Sequence, residues 1–124
     1  MKWQKAPDID RRIKKLVLSS QSDWVNPKKV VCFRSRGSKA KAIARIWGLP
    51  KIWQLALETG PTYALEVISE RFDKLSHRRQ DQVLLHELAH IPSTFSGALL
   101  PHTRKGKGSF HNKLKRMISL HEKS

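Results

Sequence analysis

Two histidines four positions apart, His86 and His90, flank a glutamate in the segment HELAH, and a third closes the same stretch, VLLHELAHIPSTFSGALLPH (83–102), at His102. On a helix of 3.6 residues per turn the first two project from one face, one turn apart, so both imidazoles can reach one metal ion. Glu87 directly follows the first, where its carboxylate can take a proton from a water activated by that metal. H-E-x-x-H is in this sense a hydrolytic pattern of two ligands and a base. The competing reading is an ordinary helix with two histidines bonded to solvent or backbone.

A catalytic zinc site needs a third protein ligand and one open position. The ligand must come from outside the helix, because Pro92 stops it. No glutamate lies between Glu87 and Glu122 and no aspartate follows Asp81, so a downstream carboxylate is disfavoured. Of the remaining histidines, His102 is preferred, since a proline-preceded segment after SGALLP can swing back under the helix. His111, in GSFHNK, is the alternative, and there a solvated or capping histidine is the ordinary reading. His77 and His121 read as surface residues.

The elements that must position these groups are legible in part. APDIDRRIKKLVLSS (6–20) places Ile9, Ile13, Leu16 and Val17 at the spacing of a short amphipathic helix. VVCFRS (30–35) is rich in β-branched and aromatic residues and reads as a strand ended by Gly37, with Cys32 buried in it. Residues 38–60 read as two short helical pieces meeting near 48–50, with Trp47 and Trp53 in the core beside Ile43, Ile46, Ile52 and Leu55. TYALEVIS (62–69) alternates as a second strand. Its edge could hold an extended peptide, and its Tyr63 is either an ordinary strand tyrosine or an aid to an oxyanion. Ser76 caps and Pro92 ends a helix over 76–91. Residues 92–109 read as a loop, ordered then flexible, before a basic amphipathic helix at about 110–122.

A length of 124 residues predicts one domain spanning 1–124, of α+β class: a small sheet packed against the HELAH helix, with flanking N- and C-terminal helices. No apolar run approaches the roughly 20 residues of a membrane helix, so the expected address is cytoplasmic. With one cysteine there is no internal disulfide and no thiolate metal cluster. The net charge of +15 makes non-specific DNA or RNA association a natural companion to any other activity.

VVCFRSRGSKAKAIARIWGLPKIWQLAL, YALEVISERFDKL and VLLHELAHIPSTFSGALLPH together resemble a metallopeptidase family of archaea, bacteria and phages that is itself similar to SprT-like zincins. The resemblance covers about residues 28–102, and its most specific parts are HELAHIP and FSGALLPH. It implies a minimal zincin-like core binding one Zn2+ ion through His86 and His90, with Glu87 as catalytic base and His102, of the "PH" pair, completing the site. The reading that follows is a zinc metallopeptidase acting on a peptide or protein. The alternatives are a basic nucleic-acid-associated protein with a structural or vestigial zinc site, and a hydrolase of other amides.

Overall fold

The computed structural model describes residues 1–102 and 109–124. The expected flexible stretch and its basic residues Arg104, Lys105 and Lys107 lie outside them. The chain forms β1 (Lys2–Lys5), α1 (Pro7–Ser19), β2 (Val30–Arg36), β3 (Ala44–Gly48), α2 (Lys51–Ala56), β4 (Tyr63–Ile68), α3 (Ser69–Phe72), α4 (His77–Ala89) and α5 (Phe110–Lys123). The strands make one mixed sheet in the order β1-β2-β4-β3, with β2 and β4 parallel and the other pairs antiparallel. The protein is therefore α+β with flanking helices, as its sequence implies.

Alternation along the strands sorts the two faces of the sheet. Val30, Cys32, Ala44, Tyr63, Leu65 and Val67 turn toward the helices and share one core with Ile9, Ile13, Leu16 and Val17 of α1 and with Leu84, Leu85 and Leu88 of α4. The three α4 leucines are fully buried, a gain of roughly 1.5–3 kcal/mol each over an exposed leucine. Phe110 and Met117 of α5 close the same core. Both long outer helices begin as their sequences dictate: α1 has Pro7 in its first turn with Asp8 and Asp10 against the positive dipole end, and the Ser109 hydroxyl caps α5 by accepting from Asn112 N. Asp81 ties α1, α4 and α5 together, accepting from Arg12 at 2.6 Å and lying 3.2 Å from His121 Nε2. His121 also meets the Ser19 hydroxyl at 2.7 Å, so it is an inter-helix strut and not the surface residue its position suggested. His77 is exposed, as expected.

Two departures from the sequence reading matter for function. The first helical piece expected after residue 38 is instead strand β3. Ile43, Ile46 and Trp47 fit helical spacing, but Ala44, Ile46 and Gly48 also alternate with Arg45 and Trp47, and pairing along β4 decides between the two periods. In consequence β4 is an interior strand with no free edge, and the edge strands of the sheet are β1 and β3. The core assignment of the two tryptophans also fails: Trp47 is 49% and Trp53 55% exposed. The buried residue of α2 is Gln54, whose amide donates to the Leu49 and Ser96 carbonyls.

Glu66 is the one carboxylate buried in the sheet among the described residues. Its side chain receives Arg45 through two bonds at 3.0 and 3.1 Å, and the Trp47 indole N–H at 3.3 Å. Burial pushes the carboxyl up, but the hydrogen bonds from Arg45 and then Trp47 outweigh it and hold the group below its ordinary value of 4.5. A carboxyl with a depressed folded pKa contributes stability above its unfolded value and loses it as pH falls through the folded one. Glu66→Gln is thus expected to cost about 1–3 kcal/mol in urea unfolding at neutral pH, less than a fully buried pair because Arg45 can reach solvent. The gap between variant and wild type should close as the pH is taken well below 4.5.

Candidate metal centre

Helix α4 carries the histidines because its two ends are fixed. Ser76 Oγ accepts from Arg79 N at 3.2 Å, and the helix stops at His90, its C-cap, two residues before Pro92. The Ile91 carbonyl beyond it accepts from Lys113 Nζ at 2.6 Å and from the Trp24 indole at 3.1 Å, with the Lys113 ammonium 4.8 Å from the Trp24 ring. Burial, then Arg116, lowers Lys113 to about 8.

The chain then turns back under α4. Tyr63 anchors the turn: its hydroxyl donates to the Ala98 carbonyl and accepts from Gly97 N, both at 2.8 Å. Gly97 sits at φ +98, and a Cβ on either Gly97 or Gly48 would run into the backbone of the facing segment, so the loop closes on β3 only through glycine. Leu100 and His90 are joined twice, by Leu100 N donating to the His90 carbonyl at 2.7 Å and by His90 Nδ1 at 2.6 Å from the Leu100 carbonyl. A carbonyl can only accept, so Nδ1 carries the proton and Nε2 keeps its lone pair for another partner.

This return brings His102 to the pair on the helix. His86 Nε2 and His102 Nε2 lie 3.0 Å apart, and one nitrogen each of His86, His90 and His102 falls within 4.8 Å of the others. Three ligands at zinc–nitrogen distances near 2.0–2.1 Å would stand about 3.3 Å apart, so small side-chain rotations suffice. His111, at the exposed start of α5, is not in this group. The imidazoles are suited to a cation in charge as well as in place: burial, then the neighbouring histidines, pushes His86 down to about 4, and burial also lowers His90. Glu87 is buried beside them, and burial pushes its carboxyl up to about 7. A cation among the imidazoles would pull it down again.

Phe110, the first residue of α5, is a part of the site that sequence spacing does not reveal. Its ring centroid is 4.4 to 5.1 Å from all three imidazole rings, and the residue is fully buried. It packs its ring against all three members of the cluster.

The sequence pattern of the family described as "Putative phage metallopeptidase" matches residues 1–117. The chain belongs to this family. The match runs from β1 into α5 and so takes in α1, Phe110 and the first part of α5, well beyond the 28–102 stretch that carries the resemblance. No curated protein and no solved structure matches the chain. Membership of a metallopeptidase family implies a metal and a peptide substrate, and the three converging imidazoles form the one such ligand group among the described residues.

In this phage metallopeptidase family member the histidines open into a cleft of about 900 Å³. Residues Ala42–Trp47 form one wall, α4 the floor, and Leu114 and Ile118 of α5 with Leu99–His102 the remaining sides. Among the described residues Glu87 is the only carboxylate that lines it. Tyr63 is not available to an oxyanion, because it is 1% exposed and its hydroxyl is engaged as both donor and acceptor. No helix among the described residues is long and apolar enough to cross a membrane.

Proposed function

We propose that this chain is a zinc-dependent peptidase in which His86, His90 and His102 hold the metal and Glu87 is the general base. The observation that carries the reading is the convergence of three imidazole nitrogens within 4.8 Å, in a cleft where Glu87 is the only carboxylate among the described residues. Three neutral imidazoles suit zinc, a borderline-soft ion, and leave a coordination position free for chemistry. When bound, zinc supplies Lewis-acid chemistry, lowering the pKa of a water toward about 7 and polarising a carbonyl.

The protein's own groups do the rest. The Glu87 carboxylate takes a proton from the water as its oxygen attacks the scissile carbonyl, and gives that proton to the amide nitrogen as the C–N bond breaks. His90 is held for its task by the Leu100 carbonyl, and Phe110 packs against all three rings. An extended peptide lies along the free edge of β3, whose residues form the cleft wall, and pairs with its backbone. The chain works as one unit in this reading, since α1, the sheet, α4 and α5 share a single core.

The test is hydrolysis of an unstructured protein such as casein by protein purified without chelator. Cleavage is expected to stop with 1,10-phenanthroline and to return on adding about one equivalent of zinc. Cleavage that persists at the same rate in metal-free protein would overturn the proposal.

A further inference from the structure

The sheet has a second face, turned away from all the long helices, and its residues alternate with those of the core. Trp3 on β1, Phe33 on β2 and Trp47 on β3 belong to it, by the register that places Trp3 opposite Ser35, Phe33 opposite Glu66, and Trp47 opposite Ala64. Both indoles are about half exposed, and Phe33 is half-buried between them. They run diagonally across four strands, so the two indoles stand roughly 20 Å apart on strand spacings of about 4.8 Å.

Cations interleave with these rings. Lys5 faces Phe33 across β1 and β2, and Arg45 occupies the same row on β3. Lys39 and Lys41, in the segment that joins β2 to β3, are exposed, whereas Lys2 and Arg36 pair with each other in a row of the helix-facing side. The one acidic residue in this set of rows, Glu66, is buried and neutralised by Arg45. Glu66 also fixes Trp47 by accepting its indole N–H, while the Arg45 guanidinium lies 5.3 Å from the ring. The Trp47 ring is therefore held in place with little orientational freedom left to lose on binding.

We infer that this face, on which Ser35, Glu66 and Ile68 are buried and the rings and cations reach solvent, binds single-stranded nucleic acid, bases stacking on Trp3, Phe33 and Trp47 and phosphates meeting the cations beside them. Exposed rings on a sheet suit unpaired bases, whose faces are free, and not a duplex, whose bases already stack on one another. A second copy of the chain is a poor occupant, because it would bring +15 against +15. A bilayer is a poor one too, since Lys5 and Arg45 sit among the rings and would be desolvated with them.

The probe is a labelled oligothymidylate of about 15 nucleotides, followed by anisotropy and by tryptophan fluorescence, in the presence of chelator so that the outcome is independent of the peptidase reading. Trp47 also lines the cleft, so the variants are confined to β1. Wild type should bind with quenching and with an affinity that falls steeply as salt rises. Trp3→Leu, which keeps apolar bulk but has no π-face, should weaken binding about fivefold or more, and Trp3→Phe should restore most of it. Lys5→Glu should weaken binding and lower the log–log salt slope by about 0.7 or more. Wild-type affinity in both Trp3→Leu and Lys5→Glu would overturn the inference. So would duplex of equal length binding as tightly as the single strand, or vesicles of phosphatidylglycerol and phosphatidylcholine displacing the oligonucleotide through this face.

Discussion

Glu87→Gln is expected to lower kcat for peptide hydrolysis by about 10²–10⁴-fold, the range a positioned general base supplies, while zinc content stays at that of wild type. Glutamine keeps the size and hydrogen-bonding shape of the side chain but cannot accept the proton. Because Glu87 is buried at a site that disfavours its charge, the variant should unfold at a temperature no lower than wild type in the metal-free state. That pairing separates a chemical role from a structural one. Full activity in Glu87→Gln protein that retains its zinc would remove Glu87 from the mechanism.

His102→Ala is expected to lose zinc on dialysis, and His111→Ala to keep it. Removing one of three protein ligands should cost more than the roughly 10–100-fold in affinity that follows from losing an outer hydrogen-bond partner. Equilibrium competition with a chromogenic chelator measures both variants on one scale. The difference rests on placement: His102 Nε2 is 3.0 Å from His86 Nε2, whereas the His111 ring has its centroid 5.8 Å from that of Phe110 and lies outside the three-histidine group. Retention of zinc by His102→Ala with loss in His111→Ala would exchange the two residues.

What the sequence made legible is what local spacing alone determines. The pairing of His86 with His90 follows from one helical turn, the start of α4 from the Ser76 hydroxyl, and the buried face of α1 from the spacing of Ile9, Ile13, Leu16 and Val17. The approach of His102 was legible too, because Pro101 and the turn before it leave few paths for the chain. What stayed hidden depends on partners distant in sequence. KWQK has no apolar alternation and becomes a strand only because the edge of β2 is there to pair with it. ARIWG fits two periods, and only the open side of β4 selects one. Trp53 sits among apolar neighbours that suggested a core, yet α2 is too short to bury more than Gln54. Phe110 and the Leu100 carbonyl reach the histidines from a later helix and a loop, and no spacing announces either.

The most direct measurement is anomalous scattering at the zinc absorption edge from crystals of the zinc-loaded protein. One peak is expected, bonded to a nitrogen from each of His86, His90 and His102 at about 2.0–2.1 Å, with Glu87 beside it and unbonded. A peak held by other side chains, or zinc-loaded crystals with no peak among these three imidazoles, would contradict the account.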